Sequence, residues 1–227
     1  MSEDLTPFLE PGPTVESTHP DIVAWTMAHH DPKASPREKA VQLYYGVRDE
    51  FRYDPYSSAL DVDGLKATRV LSEARGWCVS KAIFLAAACR AVGIPARLGF
   101  ADVRNHMSTE KMRERMKTDV FYYHGYTDIL LDGKWVKATP AFNIELCEKF
   151  GIRPLDFDGR EDSIYHPLDM AGNRHMEYLN YRGTYAEPPI DDMIATFAAH
   201  YPHWRDRANA AKGDFDAEVA AEVAKAS

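Results

Sequence analysis

The stretch "GWCVSKAIFLAAACRAVGIPARLG", residues 76–99, decides how the rest of the chain is read. Apolar or small residues at 79, 82, 83, 86 and 89 recur at helical spacing, so a helix with one core face is expected from Cys78 to about Val92. Cys78 then falls on its first turn, just after Gly76. Backbone N–H groups there lack intrahelical acceptors, and the positive end of the helix dipole favours a thiolate. The same groups can hold an oxyanion. Cys89 belongs to the core face and reads as a small buried hydrophobe. At about 1.5 Å per residue the two cysteines stand roughly 16 Å apart, too far for a disulfide.

With 227 residues the chain can bury a full core, and one domain with elaborations is expected. Apolar content of 45% and charged content of 27% are ordinary for a globular protein. A formal net charge of −8 argues against nucleic acid or a membrane surface as partner, because both need a basic patch. Three cysteines make no disulfide framework. The start, Met1-Ser2-Glu3-Asp4-Leu5, lacks the basic and apolar regions of a secretory signal, and no apolar run reaches the roughly 18 residues that span a bilayer. A reducing cytoplasm is the expected location.

Upstream, residues 1–35 read as an irregular lead-in, with a short helix over Pro20–His30 carrying Ile22, Val23 and Met27 on one face. Ser35-Pro36-Arg37-Glu38 is a helix start of the capping-box kind. "LKATRVLSEARG", 65–76, reads as a helix closed by Gly76. Downstream, 101–118 is polar and reads as a surface excursion, helical from Ser108. From Val120 the pattern turns to β, and "VFYYHGYTDILL", Asp132-Gly133 and "KWVKAT" form a hairpin with a two-residue turn. Residues 144–204 are expected as loops, short strands and one helix near Asp191–His200, and the tail from 205 as a surface helix. The divisions are therefore a lead-in (1–35), a core (36–145), an extension (146–204) and a tail (205–227).

Of nine histidines, His124 alone lies in a strand with an assigned partner. The turn pairs Leu131 with Lys134, so His124 faces Ala141 and shares a face with Tyr126, Asp128, Trp135, Lys137 and Thr139. Thr139 is a diagonal neighbour of His124, and Asn143 is the other if the strand continues past Pro140. Either side chain could orient the imidazole, as a catalytic histidine requires. Asp128 stands opposite Lys137 and reads as a solvated ion pair. His29-His30 and His200-x-x-His203 lack a framing cysteine or acid cluster, so neither a metal site nor a cofactor is expected. Trp77 can wall the site or offer its indole N–H. Aromatics at 121–123, 126, 178, 181 and 185 are cleft-wall candidates, each expected singly in packing.

Gly76-Trp77-Cys78 with Lys81-Ala82 and Leu85, then "CRAVGIPARLGF", then "HGYTDILLDGKWVKATP", together resemble the transglutaminase-like superfamily of papain-type cysteine enzymes. The resemblance covers roughly 38–145, its first part being "VQLYYGVRDEFRYD". It implies an α+β fold in which a catalytic helix packs against an antiparallel β-sheet. It makes Cys78 the nucleophile and His124 the general base. Thr139 stands where the family's aspartate is expected, because "WVKATP" replaces Trp-Val-x-x-Asp-Pro. Asn143, or an acid of "LDFDGRED" at 156, 158, 161 or 162, is then an alternative support for the ring. The implied activity is hydrolysis or transfer of an acyl group through a thioester, on a peptide or small-molecule amide. Relatives that lose triad members imply a second class, a catalytically weak binding module.

Overall fold

The computed structural model describes residues 3–106, 108–165, 167–173, 175–202 and 215–226. In chain order these include α1 (Pro20–Ala28), α2 (Pro36–Glu50), β1 (Arg52–Tyr53), α3 (Val62–Leu65), α4 (Ala67–Glu73), β2 (Arg75–Gly76), α5 (Cys78–Ala91) and β3 (Ala96–Asn105). There follow α6 (Glu110–Met116), β4 (Val120–Leu131), β5 (Lys134–Ala138), α7 (Ile144–Phe150), β6 (Met176–Tyr185), α8 (Ile190–His200) and α9 (Phe215–Ala226). Four strands form an antiparallel sheet in the order β5-β4-β3-β6. The fold is α+β, with α5 packed on the sheet at β4 and β3 and covered on its other sides by α1, α2 and α4.

Local chemistry sets several boundaries. Ser35 Oγ accepts from Glu38 N–H while Glu38 accepts from Ser35 N–H, with Pro36 first in the helix, so α2 begins with the expected capping box. Asp132 and Gly133 both adopt positive φ, 50° and 81°, the mirror-type turn that matches strand twist. That turn pairs Leu131 with Lys134 and carries the expected register as far as Thr127 with Ala138.

Helix α5 departs from expectation in being buried on every side, from Cys78 through Arg90, rather than along one face. Ile83, Phe84 and Leu85 are fully buried, each contributing about 1.5–3 kcal/mol. Its buried charges are all engaged. Lys81 Nζ donates to the carbonyls of Arg48, Phe51 and Ala141 at 2.9, 2.6 and 2.8 Å. Burial pulls Lys81 down to about 7, yet three carbonyls use every N–H of the ammonium form. The lysine thereby ties the end of α2 and the segment after β5 to α5.

Other segments correct the sequence reading. Residues 96–105 form β3, a central and largely buried strand, so the surface excursion begins only at α6, where Thr109 is the N-cap. Helix 65–76 ends earlier, with Ala74 left-handed at φ 50°, and Gly76 belongs to β2. In α1 the inward residues are Ile22, Trp25 and Thr26, whereas Met27 is exposed. The lead-in is not loose: Glu187 accepts from the backbone N–H groups of Thr14 and Val15. Beyond 144, α8 lies near its expected place, but α7 and the ten-residue β6 were not anticipated. His203 and residues 205–214 lie outside the described residues. The tail that follows is not purely superficial, because Phe215 and Val219 of α9 are buried and α9 packs on α7. Among the described residues no helix is long and apolar enough to cross a membrane.

Candidate active site

The strands β1 and β2 pair in parallel, Tyr53 with Gly76, which sets Tyr53 beside the start of α5. A Cβ at Gly76 would come within 2.6 Å of Ser80 Oγ, so the glycine leaves that hydroxyl room at the start of the helix. That hydroxyl accepts from Trp77 N–H at 3.0 Å and donates to Trp77 O, capping the helix. Cys78 follows, only 8% exposed. Burial pushes its thiol up to about 11, although the backbone N–H groups of Gly125, Val79 and Cys78 itself lie against the sulfur and pull the other way.

The approach of Gly125 is what brings β4 to the thiol. A Cβ at Gly125 would stand 2.9 Å from Val79 Cα, so only glycine lets the strand lie this close to the first turn of α5. His124 is the residue before it. A bulge precedes His124: Ala101 pairs with His124 but Val103 with Phe121, and Tyr123 is left-handed at φ 56°. Asp102 holds this bulge, accepting from Tyr123 N–H at 3.3 Å and from Arg182 Nε at 2.5 Å. The bulge turns Tyr123 away, against Phe100, while Phe121, Tyr122 and His124 line one cleft with Cys78.

His124 is 5% exposed, and burial alone pushes its imidazole down to about 3, so the resting ring is neutral. It packs against the rings of Tyr165 at 5.1 Å and Tyr178 at 6.3 Å. Its Nε2 is buried without a hydrogen-bond partner, and so are Thr139 Oγ1, Trp77 Nε1 and Tyr165 Oη. Thr139 lies one residue past the last β4–β5 pair, Thr127 with Ala138. Asn143 is placed differently. It is the N-cap residue of α7, and its Oδ1 accepts from Tyr53 N–H at 3.1 Å, which engages it with β1. The acids of 156–162 serve the far side: Asp162 bonds Lys137, Asp158 caps its own turn, Glu161 meets Lys134 and Asp156 meets Arg48. Asp128 is buried and pairs with Arg97 at 2.9 Å, so the solvated pair expected with Lys137 does not form although the two residues are in register.

The cleft has a volume of ≈ 140 Å³ and walls of Trp77, Tyr53, Tyr56, Phe121, Phe197 and Tyr201, among others. Trp77 therefore walls the site, its ring meeting Phe197 edge-on. Arg115 of α6 also lines it. Sequence reasoning missed Tyr53, Gly125, Tyr165, Arg115 and Tyr201. Only Gly125, a glycine inside a strand, carried a local signal, since such glycines mark close backbone approach. A thiol at a helix start, a neutral imidazole on the adjoining strand and free backbone N–H groups can together perform nucleophilic acyl chemistry.

A family model described as the transglutaminase-like superfamily matches residues 24–140, reaching further upstream than the motifs alone. Among solved structures, the chain is similar to a candidate cysteine protease from Cytophaga hutchinsonii, at 16% identity and a TM-score of 0.49, over 82% of this chain and 55% of that one. A candidate protease from Parabacteroides distasonis ATCC 8503 aligns at 17% identity and a TM-score of 0.39, over 60% of this chain and 25% of that one. The chain thus spans about half the length of the first protein and a quarter of the second. No curated protein matches it.

Proposed function

Because the chain belongs to the transglutaminase-like superfamily, we propose that it is a cysteine-dependent hydrolase or acyltransferase whose nucleophile is Cys78 and whose base is His124. The reading rests on one observation above all: the two side chains line a single cleft, joined through the contact of Gly125 with the first turn of α5.

Burial raises the thiol and lowers the imidazole, which disfavours a resting thiolate–imidazolium pair. Proton transfer from Sγ to His124 therefore accompanies attack on the acyl carbon. The C–S bond forms, the carbonyl electron pair moves to oxygen, and the N–H groups at the start of α5 hold the oxyanion. Collapse breaks the C–N bond as His124 returns the proton to the leaving amine, leaving a thioester. Water or an amine then releases the acyl group, with His124 as base again. Thr139 Oγ1 is the support we assign to the ring, in preference to Asn143, whose oxygen is engaged. Hydrolysis of an amide in a peptide or small molecule is the favoured outcome. We also read residues 1–227 as a single domain, with α9 docked on it.

A second reading, a catalytically weak module that binds a peptide, draws on the uncharged Thr139 and on the raised thiol. Alkylation of the native protein from pH 5 to 9, resolved by site, separates the two. Buried Cys89 and Cys147 are internal controls. The enzyme reading expects Cys78 to react faster than both and to slow in His124→Ala. Equal rates in the two proteins would favour the binding module.

A further inference from the structure

The cleft beside Cys78 is apolar and aromatic, and among its described lining residues Arg115 is the one charged side chain. Among the described residues no carboxylate lines it, although the chain holds 35 acids against 27 lysines and arginines. Helix α6 turns Met112, Arg115 and Met116 into the cleft together, as positions three and four apart on a helix do. Arg115 is half-buried, with its guanidinium 5.7 Å from the centre of the Tyr56 ring. Among the described residues no acid pairs with it. The nearby acid, Glu218, is taken by Lys111 at 2.6 Å and by the Tyr56 hydroxyl at 2.6 Å.

A guanidinium at an aromatic cleft keeps its charge at any ordinary pH and offers a planar pair of donors. Its natural complement is a carboxylate, bound by two parallel charge-assisted hydrogen bonds. Phosphate would bring a second charge that this single cation does not meet. We propose that Arg115 is the specificity residue of this cleft, and that the substrate is an amide bearing a carboxylate beside an apolar or aromatic group. The assignment deepens the enzyme reading and rests on it for the position of the scissile bond. A peptide C-terminus and a small-molecule acid share this chemistry.

The test compares N-chloroacetyl-phenylalanine with its neutral amide as alkylators of Cys78, in wild type and in Arg115→Gln. In parallel, N-acetylphenylalanine and its amide are titrated by calorimetry, which needs no reactive thiol. The acid is expected to label and bind about tenfold better than the amide in wild type, one charged hydrogen-bonding group's worth. Arg115→Gln should erase that preference, read as the ratio of acid to amide within each protein, and Arg115→Lys should keep part of it. A tripeptide ending in phenylalanine, binding more tightly than the single residue, would assign the carboxylate to a peptide C-terminus; equal binding would assign it to a small acid. Equal binding of acid and amide by wild type, or a preference that survives Arg115→Gln, would overturn the proposal. Arg115-dependent binding with an unreactive Cys78 would instead uphold it and overturn the nucleophile.

Discussion

Gly125 and Val79 touch so closely that no side chain fits between them: a Cβ on Gly125 would lie 2.9 Å from Val79 Cα and 3.3 Å from Val79 N. The atoms in the way are backbone, so neither partner can rotate aside. Strand β4 and helix α5 are therefore held at glycine distance beside the cleft that Cys78 and His124 both line.

Gly125→Ala should accordingly push the strand from the helix. Overpacking of this kind costs about 1–3 kcal/mol. Urea unfolding is expected to show that loss, with His124-dependent reactivity of Cys78 falling further than the folded fraction does. A variant as stable and as reactive as wild type would mean that the contact does not position the pair.

The neutral state of His124 makes stability depend on pH. In the unfolded chain the imidazole takes a proton near pH 6.5, whereas in the fold burial delays this to about 3. Between these values the unfolded state binds more protons, so stability is full above about 6.5 and declines as pH falls toward 3. His124→Gln removes this contribution. Denaturation midpoints at pH 7 and pH 4.5 should lie closer together in the variant than in wild type. An unchanged difference would mean that the ring is protonated in the folded protein.

The bulge offers a third test. Asp102 holds Tyr123 N–H and Arg182 from a buried position, and Asp102→Asn keeps its shape while removing the charge that Arg182 meets. Losing one charge-assisted hydrogen bond costs about 1.5–3 kcal/mol. Because the bulge aims His124, turnover should fall while ligand binding in the cleft survives. Loss of both to the same degree would show general unfolding instead.

What could be read ahead of the structure follows from what is local. The Asp132-Gly133 turn pins its own register, and counting alone carries it as far as Thr127 with Ala138. Cys78 was placed by periodicity in α5 for the same reason. Asp128 shows the limit. Counting along the hairpin sees Lys137 across from it, but β4 has a second neighbour, and Arg97 of β3 takes the carboxylate. Strand β3 itself was hidden by its polar residues, whose partners Arg182, Asp119 and Glu177 are far away in sequence. Arg115 reaches the cleft from a seven-residue helix too short to stand out from its polar surroundings, and Tyr165 borders His124 from a loop with no periodic signal. The left-handed φ of Tyr123 has no residue-type signal, since a bulky side chain there is held only by its surroundings.

Thr139 supplies the last prediction, and it separates orientation from stability. Its Oγ1 is buried with no well-formed hydrogen bond in the resting site, although the Tyr178 hydroxyl interacts with it, so the hydroxyl contributes little to the fold. Thr139→Val replaces it with a methyl of similar size and should leave the unfolding free energy within about 1 kcal/mol of wild type, or raise it. If Oγ1 accepts from the imidazolium that forms during acyl transfer, the same change removes a hydrogen bond made only then. Such a loss lowers kcat and kcat/KM together, by about tenfold for one hydrogen bond. Thr139→Asp should act in the opposite sense, restoring a charge next to the ring, raising the His124 pKa and bringing Cys78 alkylation to lower pH. Stability and turnover measured on both variants decide the role of the residue. A Val variant that is destabilised and active would make Thr139 part of the packing, and the support of His124 would have to come from another residue.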